Sequence, residues 1–242
     1  AGKSEDVRPC LKCMDGCGRI FHGLPARCAV NPELGYETEA RLLQPAKYSM
    51  KAVVVGGGVA GMQAAQTLRA RGHEVTLFEK ADRLGGLLHD AGAVSFKNLL
   101  RDYTRYMIHA TETCGAKILL NTEATKERIA AEKPDAVFVA TGSNFIRPRI
   151  EGIDGKNVHM LRDVENGKQP IGKKLVICGG GLSGVDLARQ GHDVTVIDMI
   201  PSKAFCISLF DFAYEALMHE VERSGVRFQG DSKIIRFTDE GV

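Results

Sequence analysis

The chain has 242 residues, 44% of them hydrophobic and 26% charged, enough apolar material for one large domain or two small ones. Its formal net charge is +2, with 32 basic and 30 acidic residues spread along the chain, so nothing argues for nucleic acid or an anionic membrane as a partner. The longest apolar runs, Ala52–Val55 and Ala136–Ala140, are far shorter than the ~20 residues of a membrane span, and Ala1–Glu5 lacks the apolar core of a signal peptide, so a cytoplasmic setting is expected.

The first feature is "RPCLKCMDGCGRIFHGLPARC", residues 8–28, where Cys10, Cys13, Cys17 and Cys28 follow C-x2-C-x3-C-x10-C. Clustered thiols in a reducing compartment are more often metal ligands than disulfides. Structural zinc favours paired C-x2-C knuckles, or one knuckle with spaced histidines, and only one knuckle is present. Three close thiolates and one remote one suit a 4Fe-4S cluster better. Zinc held with His22, or an unliganded or disulfide-bonded segment, remain the alternatives. Arg8, Lys12, Arg19 and Arg27 against Asp15 would stabilise a reduced, negatively charged cluster, unless they are only solvated loop residues. Cys114, Cys178 and Cys206 are scattered in ordinary contexts.

Residues 51–79, "KAVVVGGGVAGMQAAQTLRARGHEVTLFE", read as strand, glycine turn, helix and strand. In this pattern Gly56 makes the tight turn, Gly58 lets a pyrophosphate approach the backbone, and Gly61 lets helix pack on strand. Glu79, closing the second strand, would accept ribose hydroxyls. Gly85 and Gly86 offer a second close backbone approach, or merely a turn. Helical spacing of Phe96, Leu99, Leu100, Tyr103, Tyr106, Met107, Ala110 and Cys114 marks a core helix, and His89 and His109 have no ligand-like neighbours in sequence. "AKILL" and "DAVFVATG" read as buried strands, the latter ending at Thr141 and Gly142. The turn-rich stretch 147–173 marks a passage between domains.

The pattern returns in "KLVICGGGLSGVDLARQGHDVTVID", residues 174–198, with Gly179, Gly181, Gly184 and Asp198. Nine residues separate Gly181 from Gly191 against thirteen between Gly58 and Gly72, so the second helix is about one turn, roughly 6 Å, shorter. A carboxylate at Asp198 bonds a free ribose 2′-OH and repels a 2′-phosphate, favouring NADH over NADPH, although Lys203 nearby softens the preference. "SLFDFAYEALMHEVERSG" reads as an amphipathic helix, followed by strands at "VRF" and "KIIRF". No Ser-His-Asp arrangement or carboxylate pair stands out, so any chemistry here is cofactor chemistry. The fold class is therefore α/β, two Rossmann-like, FAD- and NAD(P)-binding three-layer domains preceded by a cysteine-rich cluster-binding segment. Boundaries fall at 1–48 for the cysteine segment, 49–150 for an incomplete FAD-binding domain and 151–242 for a truncated NAD(H)-binding domain.

In combination, "RPCLKCMDGC", the remote Cys28 with "VNP", "GGGVAGMQAA", "EKADRLGG", "ATGSNFIRPRIEG" and "GGGLSGVDLA" resemble the iron-sulfur flavoproteins related to old yellow enzyme, over nearly the whole chain. That group includes 2,4-dienoyl-CoA reductase, 2-enoate reductases and trimethylamine dehydrogenase. The resemblance implies that Cys10, Cys13, Cys17 and Cys28 ligate a 4Fe-4S cluster. It also implies that Gly56, Gly58, Gly61, Glu79, Gly85, Gly86, Thr141 and Gly142 hold FAD, and that Gly179, Gly181, Gly184 and Asp198 hold NADH. Electrons would pass from NADH to FAD, through the cluster to FMN, and to an activated C=C bond of an enoate or dienoyl-CoA substrate. An FMN-bearing (β/α)8 barrel, expected ahead of the cysteines and carrying the small-molecule substrate site, is not in this sequence. With no initiator Met and an end just after a strand-like run, the sequence reads as a fragment, and homo-oligomerisation is an open expectation. Two competing readings are an amine dehydrogenase with electrons running outward and a non-catalytic module clipped by structural zinc. The glutamate synthase small subunit also joins cysteine-rich segments to paired nucleotide domains, but resembles the "RPCLKC" region less well.

Overall fold

In the computed structural model, which describes residues 2–38, 44–179, 183–205 and 211–242, the chain divides into two compact units. The first comprises residues 1–12, 19–92 and 97–144, and the second residues 13–18, 93–96 and 145–242.

The first unit is built on four parallel strands in the order β3-β2-β1-β4. They are β1 Lys51–Val55, β2 Glu74–Phe78, β3 Lys117–Leu119 and β4 Ala136–Val139. Helix α1, Val59–Ala70, crosses from β1 to β2. After the short α2, Leu88–Ala91, comes α3, Asn98–Thr113, leading to β3, and α4, Lys126–Ala131, leads to β4. Thr125 caps α4 by accepting the Arg128 N–H at 3.3 Å. The apolar runs of β1 and β2 make a core of Val54, Leu77, Met62, Ala65, Tyr103 and Met107. Helix α3 carries the apolar stripe read from the sequence, but it starts after Phe96, which lies outside the helix and is exposed. The face also buries Thr104 and Thr111, whose hydroxyls donate to the Leu100 and Met107 carbonyls at 2.8 and 2.7 Å. An i−4 back-bond of this kind satisfies a buried hydroxyl within its own helix.

One expectation about this sheet needs correction. The runs at "AKILL" and "DAVFVATG" do form strands, but as the two edges, not as buried strands: Val139 is 75% exposed and β3 has no fully buried residue. Each has one neighbouring strand, so apolar composition alone does not mark a central position.

The second unit has three parallel strands in the order β5-β6-β7. They are β5 Lys174–Cys178, β6 Asp193–Ile197 and β7 Arg227–Gln229. Helix α5, Leu161–Glu165, precedes β5, and α6, Ser183–Arg189, joins β5 to β6. Helix α7, Asp211–Ser224, leads to β7. Helix α6 has seven residues against twelve in α1, about 10 Å of helix along a five-residue strand of about 16 Å. Its core is Ile177, Leu187, Val194 and Val196. The expected strand at "KIIRF" does not form. Arg236 makes an isolated bridge with Glu151, and the Phe237 N–H donates to the Glu151 carbonyl at 2.8 Å, so this segment closes on the interdomain passage instead.

Candidate nucleotide-binding sites

The β1–α1 turn is dictated by where a side chain cannot go. Gly56 has φ +106° and donates its N–H to the Phe78 carbonyl at 2.8 Å, and a Cβ there would lie 2.4 Å from the Ala140 carbonyl oxygen. At Gly61 a Cβ would lie 1.8 Å from the Gly56 oxygen, so α1 packs against the turn at a distance only glycine permits. The turn thus brings Ala140 and Thr141 against Gly56, and no contact of Gly142 with it is seen.

Gly58 is different. As N-cap of α1 it has φ −74° and ψ −176°, open to any residue, and a Cβ would meet no protein atom within 4 Å. No side chain caps the helix. The first-turn N–H groups, left without helical partners, and the positive end of the helix dipole therefore open on this space, the environment that suits a phosphate.

Gly85 and Gly86 complete the cradle. The Gly85 N–H donates to the Gly57 carbonyl at 2.9 Å, Gly58 and Gly85 form a bridge, and a Cβ at Gly86 would lie 3.0 Å from the Gly58 Cα. Both glycines have positive φ, +113° and +51°. His89 supports this turn, with Nε2 at 2.8 Å from the Leu84 carbonyl.

Glu79, 9% exposed, stands beneath the turn and accepts two backbone hydrogen bonds, Gly57 N–H to Oε2 at 2.6 Å and Ala81 N–H to Oε1 at 2.7 Å. A carboxylate has about four acceptor positions, so two remain. Gly57 is a site residue that sequence reasoning missed: a Cβ there would lie 2.6 Å from Leu84 Cδ2 and 3.0 Å from Glu79 Oε2. Its signal was the unbroken Gly56-Gly57-Gly58 run, where the pattern asks only for the outer two.

The second unit repeats the frame. The Gly179 N–H donates to Ile197, the last residue of β6, at 2.9 Å, as Gly56 does to the last residue of β2. The Asp198 backbone N–H donates to the Gln229 carbonyl at 3.0 Å as the Glu79 N–H does to the Leu119 carbonyl at 2.9 Å, and the Asp198 carboxylate accepts the Ile200 N–H at 3.3 Å. A Cβ on Gly184 would lie 2.7 Å from Val196 Cγ2, so α6 and β6 pack as closely as glycine allows. Gly181 lies outside the described residues. A second missed residue is Asp186 on α6, 4% exposed. It accepts the Ser95 N–H at 3.1 Å, the Ser95 hydroxyl, and Gln190 Nε2 at 3.1 Å.

Cys10, Cys13, Cys17 and Cys28 are all free thiols. Cys10 Sγ accepts the Lys12 N–H at 3.2 Å, and Lys12 and Met14 take left-handed backbone at φ +55° and +54°, turning the chain tightly around the first two cysteines. Four free thiols have the donor chemistry of a thiolate-held metal group. Cys10 and Cys28 fall in the first unit and Cys13 and Cys17 in the second. Among the described residues, no group of three or more His, Cys, Asp or Glu is arranged to hold a metal ion. No helix among them is long and apolar enough to cross a membrane.

Comparison with known proteins agrees with the nucleotide-binding geometry. The family profile described as pyridine nucleotide-disulphide oxidoreductase matches residues 31–102 and 50–242. The chain is 35% identical to an NADH oxidase of Thermoanaerobacter brockii over 254 residues, covering all of this chain and 38% of that protein. It is 41% identical to a cinnamate reductase of Clostridium sporogenes over 202 residues, covering 81% of this chain and 30% of that protein. The solved 2-naphthoyl-CoA reductase, in complex with 2-naphthoyl-CoA, superposes with a TM-score of 0.88 at 33% identity, covering 98% of this chain and 37% of the other. The chain thus spans between about 30% and 38% of the length of these relatives.

Proposed function

Because this chain belongs to the pyridine nucleotide-disulphide oxidoreductase family, we propose that it is the electron-input part of an NADH-dependent flavin and iron-sulfur oxidoreductase that reduces an activated C=C bond of an enoate or acyl-CoA type substrate. The observation that carries the reading is the Gly56–Gly58 turn at the start of α1. There the open direction of Gly58, the apposed Gly85–Gly86 turn and the oriented carboxylate of Glu79 make a cradle for a dinucleotide such as FAD. The repeat at Gly179 and Asp198 supports a second nucleotide, NADH, and the similarity to a cinnamate reductase and a 2-naphthoyl-CoA reductase supports the reduction of a C=C bond.

In this reading, the backbone of Gly58 and Gly86 approaches the pyrophosphate without side chains in the way, and the α1 N-terminus offsets its charge. Glu79, held by the Gly57 and Ala81 amides, accepts ribose hydroxyls with its remaining lone pairs. Asp198 accepts the nicotinamide nucleotide's ribose hydroxyls and repels a 2′-phosphate. Cys10, Cys13, Cys17 and Cys28 are the thiolate ligands. Bound together, a nicotinamide nucleotide, FAD and a 4Fe-4S cluster supply conversion of hydride to single electrons for an FMN elsewhere in the whole protein.

The test is anaerobic purification with iron, zinc and flavin quantified, followed by titration with NADH. About four irons per chain, bound FAD and bleaching of the flavin bands by NADH are expected. Replacing Asp198 by Ser is expected to raise the use of NADPH relative to NADH about ten-fold, the scale of a lost charge repulsion. A flavin that NADH never reduces would end the electron-input reading, and stoichiometric zinc without iron would make the opening segment a structural clip.

A further inference from the structure

The peptide unit between Leu84 and Gly85 is held at both ends. Its N–H, from Gly85, donates to the Gly57 carbonyl at 2.9 Å. Its carbonyl, from Leu84, lies 2.8 Å from His89 Nε2. No backbone N–H among the described residues is bonded to that carbonyl, although Leu84 is only 2% exposed. A carbonyl can only accept, so Nε2 carries the proton whether the ring is neutral or charged. The imidazole lies where a side chain at position 85 would stand, since a Cβ on Gly85 would be 2.4 Å from Nε2 and 2.9 Å from Cδ2. Gly85 has φ +113°, a backbone that favours glycine, so the turn and the ring use the same empty space.

The anchors on either side are firm. Leu84 packs in the core with Val54, Met62 and Leu77, and a Cβ on Gly57 would lie 2.6 Å from its Cδ2. Behind His89, the Ala91 and Gly92 N–H groups donate to the Leu87 and Leu88 carbonyls at 2.9 and 3.0 Å, and Arg101 Nη1 of α3 donates to the Gly92 carbonyl at 2.8 Å. The short α2 is thus tied to α3, and His89 reaches back from it to the residue before the glycine turn. The consequence falls on Gly86, where a Cβ would lie 3.0 Å from the Gly58 Cα. If the Leu84–Gly85 peptide could rotate, Gly86 would swing relative to the start of α1.

We infer that His89 is a positioning residue for the dinucleotide cradle, latching the Gly85–Gly86 turn against Gly58 through the Leu84 carbonyl. This rests on the FAD reading of the cradle given above. A free turn must be ordered when the nucleotide binds, whereas a latched turn is already in place, so the bond contributes to affinity and not only to folding. The glycine pattern of dinucleotide-binding turns asks for glycines and a terminal acid, and makes no demand for this histidine.

The test is FAD titration of the flavin-stripped whole protein, with thermal unfolding of the same samples, on His89→Ala, His89→Gln, His89→Asn and a core control, Val75→Ala. The glutamine amide nitrogen can stand where Nε2 stands and donate to Leu84, and the shorter asparagine cannot reach. FAD affinity is expected to fall about ten-fold in His89→Ala and His89→Asn, the scale of one lost hydrogen bond to a buried carbonyl. In His89→Gln it is expected to return to the wild-type value. Val75 is 5% exposed and lies near the end of β2 away from Glu79, so Val75→Ala is expected to lower the melting temperature while binding FAD as wild type does. FAD affinity that merely tracks melting temperature across all the variants, Val75→Ala included, overturns the positioning role. His89→Ala that binds FAD as wild type does overturns the inference and leaves the proposed function standing. Should His89→Ala not fold, equal FAD affinity in His89→Gln and His89→Asn overturns the latch. Wild-type protein that binds no FAD overturns both the latch and the cradle.

Discussion

Gly58 and Gly61 lie three residues apart in one turn, and the structure gives them opposite reasons for being glycine. At Gly61 a methyl group would sit 1.8 Å from the Gly56 oxygen and 3.3 Å from Val54 Cγ1. Relief requires α1 to move away from β1 by over an ångström, about the difference between that distance and a normal contact. Helix α1 carries Met62 and Ala65, both fully buried, so the shift opens the core. Overpacking typically costs 1–3 kcal/mol and more where backbone blocks the way, so we expect Gly61→Ala to lose about 3 kcal/mol and roughly 6–12 °C of melting temperature. At Gly58 the methyl would meet nothing within 4 Å, in a backbone conformation any residue adopts. Gly58→Ala should therefore leave the flavin-free protein within about 1 kcal/mol of wild type, a less flexible unfolded chain offsetting alanine's poorer preference for the N-cap. Its methyl instead fills the space assigned to the pyrophosphate, so FAD affinity should fall about ten- to a hundred-fold, some 1.4–2.7 kcal/mol. Thermal unfolding of flavin-stripped protein and FAD titration by fluorescence separate the two effects. A Gly58→Ala protein that binds FAD within two-fold of wild type would refute the cradle, and one that unfolds as readily as Gly61→Ala would refute the geometric argument.

Three further outcomes follow from side chains already placed. Glu79→Gln puts an NH₂ group against either the Gly57 or the Ala81 N–H, so it should lower stability by about 1–3 kcal/mol and weaken FAD binding, measured by denaturant unfolding with and without flavin. Asp186→Ala removes a buried acceptor of Ser95 and Gln190, whose exposed side chains can turn to water, and should cost about 1 kcal/mol. Asp186→Asn should recover most of that, because the Ser95 hydroxyl can rotate to accept; equal losses in the two variants would contradict the assignment. Tyr103 is raised above its ordinary value of 10.0, chiefly by burial. The folded state then keeps a proton that the unfolded state releases, so stability is full below pH 10.0 and declines as pH rises towards the folded value. Tyr103→Phe should flatten that alkaline decline in a series of urea melts, and an unchanged slope would count against a buried, proton-retaining Tyr103.

The parts of the fold legible in the sequence were those written locally. Gly56, Gly58 and Gly61 sit at fixed offsets within one turn, and Glu79 closes the strand that the apolar run of β2 announces, so spacing alone located them. Helix α3 was legible for the same reason, its stripe repeating every three to four residues. What spacing could not carry was long-range partnership. Ser95 and Asp186 are 91 positions apart, and no local pattern pairs them. The run at "KIIRF" has strand composition, yet its backbone partner is Glu151 across a single bridge, a choice made by the turn at Gly152, where a Cβ would lie 2.1 Å from the Phe237 oxygen. Edge or centre was equally invisible for β3 and β4, because that distinction depends on neighbours and not on the strand itself.

The two glycine frames share their backbone wiring: the Gly56 and Gly179 amides donate to the last residue of the neighbouring strand at 2.8 and 2.9 Å, and the Glu79 and Asp198 amides to the strand beyond at 2.9 and 3.0 Å. Each frame thus sets a carboxylate at the end of the second strand, where a dinucleotide's ribose is expected in this pattern. At Glu79 the carboxylate is already held by two amides at 2.6 and 2.7 Å, so little of its freedom is left to lose when a ribose hydroxyl binds.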